Sequence, residues 1–339
     1  MKGTLIALDT WNGRKAAARI VDGQLDDLII DPADTSIPRP GSIYRAVADR
    51  PMKGQGGTTV KLPGGQRGFL RDTKGLSPGK TLLVQVTGVV EPGKAVPVTS
   101  KLLFKGRYVL ITPCAPGINL SRRIRDEAER QRLRDAVEDA GTLAHGMIIR
   151  SEAEGQSTDL VAADAAAMLA QAQEVLAQAT GNPAQVLPGP DAHTLALRDW
   201  SDAEQAEQTP GCFTARGIDD LIAEMASPQL TLPGGGTAWI EPTRALVAVD
   251  VNTGGNTSPS AGLKANLALA KDLPRQLRCR GLGGQITIDL APFPKSQRKQ
   301  VETTLRSAFR QDSIETALVG WTPLGHFELQ RKRERFACF

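Results

Sequence analysis

Two apolar runs, 245–252 (ALVAVDVN) and 285–290 (QITIDL), are each broken by one aspartate near the C-terminal end. Apolar and β-branched residues at this density favour short buried strands. Between them lie a glycine turn at Gly254 and Gly255 and a helical stretch over 266–280. A strand–helix–strand crossover makes its two strands parallel and sets them side by side. Side chains alternate along a strand, so Asp250 and Asn252 share a face. The crossover therefore brings Asp250 and Asp289 together at the C-terminal edge of a sheet, where α/β folds place their sites.

Two carboxylates meeting there repel each other unless a cation sits between them. Mg²⁺ suits the position, because it takes oxygen ligands, needs one or two protein carboxylates and keeps several waters; Mn²⁺ is the alternative. Such an ion activates water and steadies charge on a phosphodiester. Asn252 would orient a carboxylate or a metal-bound water. The competing structural reading has each aspartate capping a strand or the turn after it. An Asp/Asn pair joined by a second strand-end aspartate favours the chemical reading.

Upstream the patterning changes. Three strands are expected within 3–36, separated by Trp11-Asn12-Gly13 and Asp22-Gly23 turns. Over 37–99, glycine and proline punctuate five short β-type runs: 41–48, 57–62, 66–70, 81–90 and 95–99. That spacing suits a small barrel of the OB type, with an SH3-like barrel or another small β domain as alternatives. Helices are expected over 122–140 and 159–179, the second capped by Thr158, and near 217–225. The stretch 181–211 reads as loop with a short helix. The C-terminal part, with strands over 237–241, 245–251 and 285–290 and helices over 266–280 and 295–310, is α/β, so the whole chain is α+β.

Composition narrows the class of partner. Net charge is only +4 over 339 residues, but it is unevenly spread. Residues 151–210 hold ten acidic and one basic residue, and 264–339 hold fourteen basic and seven acidic. Such asymmetry points to a polyanionic partner, where the plainer reading is a solvated face. The four cysteines form no CxxC pair, so no zinc is expected, and a reducing cytoplasm fits them best. No run of eighteen apolar residues and no signal-peptide pattern is present, so no membrane span is expected.

Seven short blocks then carry a resemblance. AVDVNTG (248–254), the helix running from Asn266-Leu267 to RQLR (275–278), and LGGQITID (282–289) are three of them. LPGGG (232–236), GHFELQRKR (325–333), NLSRRI (119–124) and IRSEAEG (149–155) are the others. Each alone is weak. Together, and in order from Asn119 to Arg333, they resemble the ribonuclease E/G family. The resemblance implies an N-terminal part of an RNase H-like subdomain (1–36), an inserted OB-fold (37–99) and a 5′-sensor region (100–165). The rest of a trimmed RNase H-like subdomain (166–225) and a nuclease-like catalytic subdomain (226–339) would follow.

It also implies an endoribonuclease that cuts single-stranded RNA with Mg²⁺-activated water, leaving 5′-phosphate and 3′-hydroxyl ends, in RNA processing or decay. Asp250 and Asp289 match the family's metal-binding aspartates, and Asn252 the asparagine beside them. Arg150 and Ser151 match the 5′-monophosphate sensor; read without the family, Ser151 and Glu154 would form a helix capping box. Phe69 and Lys94 match RNA contacts of the barrel, Arg331 a C-terminal RNA contact, and Arg122, Arg123 and Arg333 lie in matching basic blocks. Departures temper the match. Thr59 stands where a second stacking aromatic is expected, which weakens single-strand affinity. Pro274 interrupts a helix, at the cost of a hydrogen bond. The family's zinc-link is missing, so a monomer or a non-zinc dimer is expected. The alternative function is a non-catalytic RNA-binding protein with a vestigial nuclease site.

Overall fold

A computed structural model describes residues 3–52, 56–72, 75–91, 93–113, 115–138, 145–200, 206–256, 258 and 260–339. The chain forms two compact units, Met1–Thr35 with Gln205–Phe339, and Ser36–Glu204. It opens with an antiparallel meander, β1 (Thr4–Trp11), β2 (Arg14–Val21) and β3 (Gln24–Ile30). The turns use Asn12-Gly13 and Asp22-Gly23, all four residues at positive φ. That is the type I′ chemistry that matches strand twist in a tight hairpin.

The second unit holds the expected barrel. β4 (Ile43–Met52), β5 (Gly57–Lys61), β6 (Arg67–Leu70), β7 (Thr81–Val86) and β8 (Val96–Thr99) pair in the order β4-β5-β6-β8-β7, and β7 closes on β4. Only β6 and β8 run parallel within it. This is an OB-like closed five-stranded barrel, cored by residues such as Val60, Leu70, Val84 and Val98. A four-stranded sheet follows: β9 (Phe104–Lys105), β10 (Val109–Thr112), β11 (Gly117–Leu120) and β12 (Gly146–Ile149), in the order β11-β12-β10-β9. It shares a core with α1 (Glu127–Glu138) and α2 (Thr158–Ala177).

Three readings of this unit are corrected. The α2 cap is Ser157, whose hydroxyl accepts from the Leu160 N–H at 3.3 Å, one residue earlier than expected. A boundary at 165/166 would cut α2. Its buried stripe Val161, Ala165, Leu169, Ala172 and Val175 runs unbroken through that point, so the residues after it stay with the core that α1, α2 and the four-stranded sheet share. The expected loop near 184 is β13 (Ala184–Leu187), which pairs with β4. Four residues between prolines carry no periodicity, and the pairing is set by the neighbouring strand. By length and composition α2 could cross a membrane, but that stripe packs into the core. After α3 (Ala192–Asp199) the chain returns to the first unit.

There α4 (Cys212–Ala215) and α5 (Ile218–Ala226) pack on the β1–β3 sheet. A six-stranded mixed sheet comes next: β14 (Gln229–Thr231), β15 (Thr237–Pro242), β16 (Val247–Asn252), β17 (Gly284–Asp289), β18 (Thr316–Trp321) and β19 (Phe327–Arg331). The order is β14-β15-β16-β17-β19-β18, and β16–β17 is its one parallel pair. α6 (Ala261–Arg280) makes the crossover, and α7 (Arg298–Gln311) joins it on the same face. α6 begins five residues before the expected start and is one continuous helix through Pro274.

The far side of α6 meets β3. Arg275 donates to the Leu25 carbonyl at 2.8 Å and Arg278 to that of Asp26 at 2.7 Å. A buried ion network grows from there. Arg278 and Arg331 both donate to Asp312, and Arg335 to Asp27. Burial alone would raise the Asp27 carboxyl, but the Arg335 guanidinium, followed by Arg278 and Arg19, outweighs it and holds the group below its ordinary value of 3.8. A depressed folded value contributes stability that is present above the unfolded value and lost as pH falls through the folded one. The urea midpoint should therefore drop on acidification from about pH 5 to pH 2. The Asp27→Asn protein, already less stable at neutral pH, should show a flatter profile in urea titrations followed by circular dichroism.

Candidate active site

The inner face of the six-stranded sheet carries Val247, Val249 and Val251 of β16 and Ile286 and Ile288 of β17, packed under α6 and α7. Alternation sends Asp250, Asn252 and Asp289 to the other face, and all three are exposed. The site thus occupies an uncovered sheet face at the strand ends. In the parallel register Asp250 stands directly opposite Asp289, with adjacent strands about 4.8 Å apart. The Asn252 amide donates to Asp250 Oδ2 at 2.7 Å. That hydrogen bond fixes one carboxylate rotamer.

Backbone packing holds the strand ends. The buried Asn266 side chain of α6 both donates to the Ala291 carbonyl (2.9 Å) and accepts from its N–H (3.0 Å), two residues beyond Asp289. Gly262 lets α6 approach that segment: a Cβ there would lie 2.0 Å from the Pro292 carbonyl oxygen. Gly254 has φ +61, and a Cβ on it would meet the Gly235 carbonyl at 2.5 Å. The LPGGG turn and the turn after β16 therefore touch backbone to backbone beside the acid pair.

His326 was not singled out by sequence. Its Nε2 lies 3.7 Å from Asp289 Oδ1, and the loop before β19 holds it through His326 N–H to Thr322 Oγ1 (3.1 Å) and Thr322 N–H to His326 O (2.8 Å). It sits inside the GHFEL block, but only the β17–β19 register reveals its neighbour. Among the described residues no lysine or arginine pairs with Asp250 or Asp289, and no set of three or more His, Cys, Asp or Glu side chains forms a metal cage. Two facing, solvent-open carboxylates fit a hard cation that keeps most of its ligands as water or substrate oxygens.

Of the remaining predicted residues, Arg331 and Arg333 belong to the same unit as the acid pair and the others to the second unit. Arg331 is a correction: it is fully buried on the core side of β19, donating to Asp312 at 2.6 Å and to Thr316 at 2.9 Å. A neutralised, buried guanidinium cannot meet RNA without opening the core. Arg333 is half-buried, its guanidinium lying over Gly284. Both are at the start of β17, roughly 16 Å along the strand from Asp289. Arg122 and Arg123 are exposed between β11 and α1. Phe69 is half-buried on the barrel, and its cross-strand partner is Thr59 itself. Lys94 is exposed and paired with Glu91 at 2.9 Å. Arg150 donates to the Gly106 carbonyl at 2.7 Å and pairs with Asp199 (3.2 Å) and Glu152 (3.3 Å). Ser151 donates to Glu152 at 3.3 Å and caps no helix, so no capping box forms.

An OB-like barrel in one unit and an exposed carboxylate pair on a mixed α/β sheet in the other define the class of protein. The family model described as the ribonuclease E/G family matches residues 104–209 and 201–334. Ribonuclease E of Nostoc sp. is 28% identical across 94% of this chain and 54% of its own length. Ribonuclease G of Salmonella typhimurium is 28% identical across 76% of this chain and 60% of its own, as is ribonuclease G of Escherichia coli. The chain belongs to the ribonuclease E/G family, and it spans a little over half the length of these relatives.

The Asn266 clamp gives a direct expectation. Asn266→Ala leaves a buried N–H and C=O of Ala291 unpaired, which costs about 1–3 kcal/mol each. A thermal melt of the variant should show a clear loss against wild type, where a surface substitution such as Gln330→Ala shows none.

Proposed function

We propose that this chain is an endoribonuclease that hydrolyses single-stranded RNA to 5′-phosphate and 3′-hydroxyl products in RNA processing or decay. The observation that carries the reading is the register pairing of Asp250 with Asp289 on an open face, in a chain of the ribonuclease E/G family. Bound between the two carboxylates, Mg²⁺ would lower the pKa of a water and stabilise developing charge on the phosphodiester. Asp250 and Asp289 would supply its anionic ligands. Asn252 holds the Asp250 rotamer, and Asn266 fixes the segment after Asp289. The barrel, with Phe69 and Lys94, and the exposed Arg122 and Arg123 supply sequence-independent affinity through stacking and phosphate contacts.

Asp250→Asn and Asp289→Asn should each abolish cleavage and leave the metal-independent RNA binding of the barrel and the basic residues largely intact, because asparagine keeps the shape and removes the charge that holds the ion. Asn252→Ala should do less harm. Gel shifts paired with cleavage assays across a Mg²⁺ titration test this. Near wild-type cutting by either aspartate variant would refute the site. Binding without cutting by the wild type itself would instead favour the vestigial-nuclease reading.

Arg150 and Ser151 are proposed as the site for a 5′-monophosphate. The pairs that Arg150 makes with Asp199 and Glu152 are the competitors a phosphate must displace, so the gain is smaller than for a free guanidinium. Cleavage of 5′-monophosphorylated RNA should exceed that of 5′-hydroxyl RNA by on the order of tenfold, less than two unopposed charge-assisted bonds would give. Arg150→Ala should erase the preference. Equal rates on the two substrates would reject the sensor.

A further inference from the structure

The cross-strand row through the acid pair continues in both directions. Trp239 of β15 is the register partner of Asp250, Asp250 of Asp289, and His326 stands one step beyond the Phe327–Ile288 pair, beside Asp289. Trp239, Asp250 and Asp289 thus lie in one line across three adjacent strands, and His326, the residue before β19, extends it to a span of roughly 14 Å. Trp239 faces outward: its strand neighbours Ala238 and Ile240 are in the core, while the indole is 37% exposed. Around it stand polar or charged residues, Gln229 as its other cross-strand partner and the exposed Glu241 two positions along. The ring is partly covered but belongs to no core cluster, and among the described residues no ring contact or cation–π partner involves it.

We propose that Trp239 is a stacking platform for the nucleobase next to the phosphodiester held at Asp250 and Asp289. The inference rests on the reading of that pair as the cleavage site. Directly opposed strand residues have Cβ atoms about 4.5–5.5 Å apart, which is the scale on which one nucleotide separates its base from its phosphate. Base–aromatic stacking tolerates any sequence and is worth a large factor per base. It would give this chain a stacking surface next to the chemistry, where the barrel has Phe69 but Thr59 opposite it. The row itself carries two carboxylates and attracts no phosphate unaided, so engagement of Trp239 requires the divalent cation to be present.

The test uses the full chain and a short single-stranded RNA in Mg²⁺, read by stopped-flow quenching of tryptophan emission before turnover. Quenching should appear only with Mg²⁺. Trp239→Ala should lose most of it and weaken binding or raise KM by roughly tenfold or more, while Trp239→Phe should restore affinity because a ring remains. An RNA of the same length with an abasic residue at the cleavage position should bind wild type and Trp239→Ala alike. Unchanged affinity, KM and quenching in Trp239→Ala, with cleavage intact, would overturn the platform and leave the nuclease reading standing. Trp239-dependent, Mg²⁺-dependent quenching without any cleavage would do the reverse. Failure of Trp239→Phe to restore affinity in a protein with the wild-type circular dichroism spectrum would also count against stacking.

Discussion

The parallel pairing of β16 with β17 holds the candidate site together, and it exists because α6 spans the crossover between them. In a mixed sheet whose other pairings are antiparallel, this one pair brings two strand ends, and hence two carboxylates, to the same edge in the same direction. An antiparallel pair would have set Asp250 beside the start of its neighbour. The register is enforced from the other face: Val247, Val249 and Val251 must lie with Ile286 and Ile288 under α6, and a slip of one residue would reverse the face of every side chain. The same apolar requirement that buries the valines therefore exposes the acids.

On its other side α6 carries charge into the interior. Arg278, Asp27, Asp312, Arg331 and Arg335 form a buried network in which, among the described residues, Arg331 Nε and Nη2 have no hydrogen-bond partner and Arg278 Nε has only a 3.5 Å ion pair with Asp27. Burying ions costs free energy that their mutual attraction only partly offsets, and removing one partner leaves another charge stranded. The network links β3, α6, the Asp312 turn and the segment after β19 through paired charges.

The crossover, both aspartates, the five barrel strands and the meander turns were legible because each has a local cause: apolar runs, Asn-Gly and Asp-Gly turns, glycine spacing. Strands β9 to β14, β18 and β19 were not: most are short or lie at a sheet edge, and β19, inside its sheet between β17 and β18, takes its register from both neighbours. Arg331 shows the limit most clearly. The family resemblance implies an RNA contact for Arg331, yet strand alternation sends it inward to Asp312 while its neighbour Lys332 stays exposed. His326 and Trp239 were invisible for the complementary reason, that their relation to the acids exists only through cross-strand register.

The interruption of the first unit by the second has a consequence for biosynthesis. β1, β2 and β3 are made first, but the side chains that cover their apolar face, Phe213, Ile218 and Ile222 among them, come only after the inserted unit Ser36–Glu204. At ~5–20 residues per second the meander waits on the order of ten seconds or more, its core face open, while an independent unit is made between it and its cover. A nascent chain of this family member is thus exposed to wrong pairing in the β1–β3 meander until its cover is made, and the tight I′ turns, which close the meander without distant help, shorten the time those strands spend unpaired.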